Sequence, residues 1–226
     1  GTVVLAMRAS VQRAAAEALG DQRGSVVVLD VATGGIVAMY SNPTFDPQPL
    51  AGHDTKAVAD FFAALSADPA KPNLPRAFRE IYPPGSTFKV VTTAVAFDTG
   101  TATPTSEYPV LSELDLPLTT NTLENFGGQT CGGTVFESFV QSCNTTFGAI
   151  GLQLGDRFPQ GMARFGVGGD PPPLDVDPGA VASTGLAGTS FATDAPLFAF
   201  AGIGQGPVAT TPLTMAMVAA AVANGG

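Results

Sequence analysis

Apolar and polar positions along the chain change period several times, and the changes mark its elements. Residues 9–19, ASVQRAAAEAL, carry small and apolar side chains at helical spacing, with Ser10 as the predicted N-cap and Gly20 as the stop. Ser25–Asp30 and Ile36–Tyr40 are short β-rich runs separated by Val31-Ala-Thr-Gly-Gly35, which predicts a β-hairpin. Residues 42–84 are rich in Pro, Asp and Asn and predict a long surface segment with one helical patch near Lys56–Leu65. From 86 to 98 the period is helical again: Phe88, Val91, Ala94 and Val95 share a face, and Gly100 stands at the C-terminal cap. Thr134 is placed to cap a helix through about Gln141, and Asn144 another through about Leu154. A short helix is expected around Gln160–Phe165, broken by Asp170-Pro-Pro-Pro173. Thr211-Pro212 puts an N-cap before a proline at the first helical position and opens an Ala/Met/Val-rich helix to Ala223, apolar on most sides and therefore expected to be buried. No internal repeat is visible.

The pattern predicts an α/β (α+β) chain: residues 1–41 contribute a hairpin to a sheet, and 42–226 supply a mainly helical subdomain with the chemistry-bearing motifs. A lone hairpin is marginal, so partner strands are expected that these residues do not supply.

Composition narrows the classes. The 226 residues are 45% hydrophobic and 13% charged, which suits a buried core and not a disordered chain. Net charge is −9 and no basic run exists, which argues against a nucleic-acid partner; the acidic balance serves solubility. No stretch approaches the roughly 20 apolar residues of a membrane span. The single His53 lies in the loop-like Ala-Gly-His-Asp-Thr, far from any nucleophile motif, and is expected on the surface. No Cys/His cluster has metal-ligand spacing, so neither metal nor cofactor is expected. Cys131 and Cys143 are either two buried thiols or, in an exported protein, a disulfide closing a short loop worth roughly 3 kcal/mol; their number does not choose. The start at Gly1 and the end after Ala-Asn-Gly-Gly226 lead us to expect an internal stretch of a longer protein.

Three segments carry candidate chemistry. Ser86-Thr-Phe-Lys89 is Ser-x-x-Lys, which puts a hydroxyl and an amine one helical turn apart on one face. Alone the spacing is common, and a capping serine with a solvated lysine accounts for most examples. Here Lys89 lies in an apolar helix, where a lysine without a task is expensive. Ser86 also follows Pro-Pro-Gly at the helix start, where its backbone N–H can face a developing oxyanion. Ser142-Cys-Asn144 is Ser-x-Asn between two predicted helices, where Asn144 could equally be only a cap. Gly202-Ile-Gly-Gln-Gly206 lacks the spacing and the following Lys-Ser/Thr of a phosphate loop; it reads as a tight backbone passage beside the site, with Gln205 in a supporting role.

Taken in order, these segments resemble the transpeptidase domain of penicillin-binding proteins of the class B type. Tyr82-Pro-Pro-Gly-Ser-Thr-Phe-Lys89 resembles the family's acylation motif, and Ser142-Cys-Asn144 follows at a family-like separation. Gly24–Asp30 and Ala38–Pro43 resemble the first hairpin of its sheet. Gly202–Gly206, Thr211–Met215 and Ala223–Gly226 resemble the segment before its third motif. The resemblance implies the fold of the penicillin-binding-protein and β-lactamase serine acyltransferases, incomplete at the C-terminus. It implies catalytic roles for Ser86, Lys89, Ser142 and Asn144, with Ser86, Ser142 and Asn144 also contacting substrate. The implied substrate is a peptidoglycan stem peptide ending in D-Ala-D-Ala, with β-lactams as covalent inhibitors. It further implies division or elongation proteins as partners of the full-length protein, and a place at the extracytoplasmic face of the bacterial plasma membrane, anchored by an N-terminal segment outside this sequence. An exported family favours a Cys131–Cys143 disulfide bracing the segment that leads into Ser142.

One departure stands out. The Lys-Thr-Gly motif on a later strand is absent; the lysines are Lys56, Lys71 and Lys89, and none is followed by Ser/Thr-Gly. The expectation is that the motif follows Gly226. The competing readings are a β-lactamase, a D,D-carboxypeptidase or β-lactam sensor of the same superfamily, a catalytically inactive cell-wall scaffold, and a non-enzymatic helical binding domain. A class A β-lactamase uses a glutamate for deacylation, and no Glu-x-x-Leu-Asn block follows Ser142.

Overall fold

The hairpin forms where the alternation places it. In the computed structural model, which describes residues 4–176 and 179–226, β1 (Gly24–Leu29) pairs antiparallel with β2 (Ile36–Asn42), Val27 opposite Met39. The other elements are α1 (Ala9–Leu19), α2 (Thr55–Ala67), α3 (Arg76–Arg79), α4 (Lys89–Asp98), β3 (Glu107–Leu111), β4 (Glu113–Asp115) and β5 (Thr122–Glu124). They are followed by β6 (Cys131–Thr134), α5 (Val135–Gln141), α6 (Asn144–Leu154), α7 (Arg157–Arg164), α8 (Phe191–Gly202) and α9 (Pro212–Ala223).

The chain divides into two units: Gly1–Ile81 with Asp175–Val181 and Thr211–Gly226, and Tyr82–Leu174 with Ala182–Thr210. The division falls at Tyr82 instead of residue 42, because α3 lies against β1 and β2 and α9 returns to the same unit.

In the first unit Asp30 builds the hairpin turn. Its carboxylate accepts from the N–H groups of Ala32 and Thr33 and from the Thr33 hydroxyl, and those bonds hold its pKa below the ordinary value. Helix α1 packs on β2, where the Gln12 amide closes on the Met39 backbone, donating to its carbonyl (2.8 Å) and accepting from its N–H (2.9 Å). Ser10 lies inside this helix; the N-cap is Arg8, whose side chain has no acceptor to cap with and whose N–H donates to Val37 O. Arg76, fully buried, donates to the carbonyls of Ala70, Lys71 and Leu74 and pairs with Glu80 at 3.1 Å. The three carbonyls and the Glu80 carboxylate offset the cost of burying this charge. Thr211 caps α9 as the Thr-Pro pair predicts, but this helix buries only Leu213, Thr214 and Val218; Met217 and Val222 stay exposed. Near-uniform apolarity therefore overstated its burial.

The second unit carries a helical core of Phe88, Val91 and Val95 from α4 and its preceding turn, Phe147, Ile150 and Leu154 from α6, Phe158 and Met162 from α7, and Phe198 from α8. Full burial of each such side chain is worth about 1.5–3 kcal/mol. Helices α6 and α8 cross backbone to backbone: a Cβ on Gly151 or Gly202 would come closer than 3.0 Å to the facing carbonyl of Phe198 or Phe147. Two elements of this unit lie outside the sequence pattern. Helix α8 is one. The other is a pair of small antiparallel sheets, β3 with β6 and β4 with β5, built from strands of three to five residues, too short to show an alternation.

Candidate active site

All the candidate site residues lie in the second unit. Ser86 sits in a 3₁₀ turn, Gly85–Phe88, that runs into α4, so the expected single helix 86–98 begins with a tighter turn. Pro83 and Pro84 precede it, and Pro84 caps it in helical conformation. The seat of this turn is backbone. Tyr82 and Thr210 exchange N–H to carbonyl bonds of 2.9 Å in both directions, and Gly85 N–H donates to Gly204 O at 2.9 Å. Gly204 has φ +70°, and a Cβ there would come closer than 3.0 Å to the Gly85 carbonyl oxygen and to Phe88 Cβ. The glycine-rich segment is thus a tight passage beside Ser86. The Gln205 side chain is exposed and has no hydrogen-bond partner among the described residues, so it supports nothing there.

Lys89 is one turn on and only 2% exposed. Its Nζ donates to Ser142 O (2.6 Å), Ser142 Oγ (3.0 Å) and Asn144 Oδ1 (2.8 Å), which uses all three ammonium hydrogens. The Phe147 ring lies 5.5 Å from Nζ. Burial pushes the Lys89 pKa down from the ordinary 10.5 to about 8.

Ser142 can offer two oxygens because it adopts the left-handed conformation, φ 58° and ψ 41°, as the residue that ends α5. The residue on either side of Cys143 binds Lys89, and Cys143 itself is joined to Cys131 at the start of β6, with Cα atoms 5.8 Å apart. Asn144 is the first residue of α6 and does not cap it; its amide is spent on Lys89 and, through Nδ2, on Glu124 O at 3.0 Å.

The structure therefore brings Lys89, Ser142 and Asn144 together. It leaves the Ser86 hydroxyl exposed and, among the described residues, without a hydrogen-bond partner. His53 is exposed in the other unit. The residues that sequence reasoning missed are Phe147 and Asn125. Asn125 sits in Glu-Asn-Phe-Gly-Gly, which reads only as a turn; its partners lie up to 20 residues away, where no local signal reaches.

The profile of the penicillin binding protein transpeptidase domain matches residues 24–226. A peptidoglycan D,D-transpeptidase PbpA of Mycolicibacterium smegmatis is 44% identical over 100% of this chain and 47% of its own length. Its counterpart in Mycobacterium tuberculosis is 41% identical over 92% of this chain and 42% of its own length. The chain thus spans about half the length of the curated relatives it matches. Among solved structures, the penicillin G acyl-enzyme complex of M. tuberculosis penicillin-binding protein A superposes with a TM-score of 0.86 at 38% identity, covering 98% of this chain and 52% of that one. Pseudomonas aeruginosa PBP2 in complex with WCK 5153 gives 0.84 at 31% identity, covering 99% and 52%.

Proposed function

This chain belongs to the penicillin-binding protein transpeptidase family, and from that premise we propose that it is the acylating part of a serine D,D-transpeptidase that cross-links peptidoglycan stem peptides and is acylated by penicillin at Ser86. One observation carries the assignment of roles: a lysine 2% exposed, one turn from Ser86, is held by both oxygens of Ser142 and by Asn144.

In the resting form Lys89 is the full donor, an ammonium with three acceptors. After it loses a proton it has two N–H groups and a lone pair. The neutral amine accepts the Ser86 hydroxyl proton as Oγ attacks the carbonyl carbon between the two terminal D-alanines. The Ser86 N–H, in the first turn of its helical segment, has no intrahelical acceptor and is free for the oxyanion. The tetrahedral adduct collapses, the C–N bond breaks, and the leaving D-alanine amine takes a proton. Of the three groups on Lys89 only the Ser142 hydroxyl can both accept and donate, so it relays that proton from Lys89. Asn144 keeps one N–H for the substrate after serving Glu124 O. An amine of a neighbouring strand then attacks the ester, forms the new amide, and returns the proton to Ser86 Oγ.

We place this activity at the extracytoplasmic face of the plasma membrane; the Cys131–Cys143 disulfide supports an oxidising compartment. The test is labelling of the full-length protein with a fluorescent penicillin, followed by peptide mapping. The label should map to Ser86 and vanish in Ser86→Ala. Label on another residue, or its persistence in Ser86→Ala, would overturn the reading.

A further inference from the structure

Helix α6 begins without a cap of its own. Its N-cap residue is Cys143, whose side chain makes no capping bond and is committed to the disulfide. The first N–H groups of a helix have no internal partners, and a capping oxygen is ordinarily supplied to the second or third of them by the N-cap side chain. Here that oxygen comes from 20 residues upstream: Thr145 N–H, the second in the helix, donates to Asn125 Oδ1 at 3.0 Å.

Asn125 is only 5% exposed, and every part of it is engaged. Its Nδ2 donates to Leu111 O (2.8 Å) and Gln129 O (3.0 Å) and contacts Thr145 Oγ1 at 3.3 Å, while its backbone N–H donates to Ser112 O at 3.1 Å. The residue before it, Glu124, accepts Asn144 Nδ2 through its carbonyl. Residues 124 and 125 therefore grip the first two residues of α6, one at the side chain that holds Lys89 and the other at the neighbouring backbone.

We propose that Asn125 is a positioning residue for acylation: by capping α6 from outside its own sequence neighbourhood, it aims Asn144, and through Cys143 the Ser142 turn, at Lys89. It touches neither substrate nor the reacting atoms. The inference rests on the reading that Ser86 is acylated with Lys89 as base.

Two substitutions separate positioning from general support. Asn125→Asp keeps the capping oxygen and loses both donors to Leu111 and Gln129. Asn125→Leu, similar in size, loses cap and donors together. Both weaken the fold, since each leaves buried carbonyls without a donor. The measurement is acylation of full-length folded protein by a fluorescent penicillin, resolved into initial binding and the chemical step. The chemical step should slow about 100-fold in Asn125→Leu, the order expected for a misplacement near 1 Å. Initial binding should stay within about 3-fold, and Asn125→Asp should recover the chemical step to within about 10-fold of wild type. If Asn125→Leu does not fold, Asn125→Gln, which carries the same amide one methylene too far, is expected to slow the step likewise. Wild-type chemistry in folded Asn125→Leu or Asn125→Gln, or an Asn125→Asp as slow as the leucine variant, would overturn the inference while leaving the acylation reading intact. Absence of label from wild-type Ser86 would remove that reading and this inference with it.

Discussion

Ser86 and Ser142 occupy turns that are fixed by different means. The Ser86 turn is seated chiefly by backbone: Gly85 on Gly204 and Tyr82 on Thr210, with no room for a Cβ on Gly204. Its side chain is exposed and uncommitted. The Ser142 turn is fixed by a disulfide at the next residue, by Asn144 on Glu124 and by Asn125 on Thr145, and its side chain and carbonyl are both given to Lys89. An attacking group must be held close yet free to form a new bond. A group that tunes and relays a proton must be held by its oxygens. The two turns meet these two demands, and Lys89, one turn along the chain from Ser86, is held on the Ser142 side.

Removing Lys89 should have the largest effect. Lys89→Met is expected to lower the penicillin acylation rate by about 10²–10⁴-fold, the usual worth of a positioned general base. In stability at neutral pH, the same variant sets relief from a buried charge against the loss of the donor to Ser142 and Asn144. The folded pKa of about 8 lies below the ordinary 10.5, so between those values the unfolded chain binds more protons and stability rises with pH. Below about pH 8 the fold is therefore less stable, by on the order of 3 kcal/mol, than it is with the amine neutral above about pH 10.5. Denaturant titrations at pH 7 and pH 10 should show this rise in wild type and none from this site in Lys89→Met. Acylation by wild type should also climb with pH through about 8 as the neutral amine accumulates. A rate flat from pH 6 to 9 would show that Lys89 is not the base.

Gly204→Ala strikes the Ser86 side alone. The new Cβ would meet the Gly85 carbonyl oxygen and Phe88 Cβ, and Gly204 itself holds φ +70°, so relief requires the Ser86 turn to move. Overpacking of this kind costs about 1–3 kcal/mol, and acylation per folded molecule should fall about 100-fold. A folded Gly204→Ala with unchanged acylation would mean that the seat of Ser86 is more compliant than its glycines imply.

Breaking the disulfide strikes the Ser142 side, where other bonds remain. Cys131→Ala with Cys143→Ala should cost roughly 3 kcal/mol of stability. Acylation at matched folded concentration should fall less than about 10-fold, because Asn144 and Asn125 still hold the turn. A larger loss would assign the aim of Ser142 to the disulfide instead.

What was legible in the sequence follows the same division. The Ser86–Lys89 spacing, the Thr134 and Thr211 caps and the hairpin turn at Asp30 are local, and three or four residues suffice to write them. The Ser142 side is written across distance. Asn144 looks like a cap but is drawn to Lys89, while the cap comes from Asn125, which looks like a turn residue. Ser10 is not the cap for the related reason that the Arg8 N–H bond to Val37 O fixes the helix start two residues earlier. The small sheets β3–β6 and β4–β5, which carry Cys131 and Glu124, hide in strands too short to alternate.

The smallest expected effect sharpens the comparison from the side of α5, the helix that delivers Ser142. Thr134 and Glu137 form a capping box: Thr134 Oγ1 accepts from Glu137 N–H at 3.1 Å, and the Glu137 carboxylate accepts from Thr134 N–H at 2.8 Å, which holds the Glu137 pKa below its ordinary value. Thr134→Ala removes one half of the box and should cost about 1 kcal/mol. The loss is at the far end of the helix from Ser142, whose left-handed turn is closed by its own N–H on Phe139 O and by Cys143 N–H on Ser138 O. The Ser138 hydroxyl is further tied to Thr146 of α6 at 2.9 Å, so the C-terminal end of α5 is anchored independently of its start. Thr134→Ala should therefore lower the melting temperature by a few degrees and leave both the acylation rate and its pH midpoint where they are in wild type. A shift of the midpoint in this variant would show that α5 transmits changes along its length to the Lys89 contacts, and that the Ser142 turn depends on its helix more than on the bonds beside Cys143.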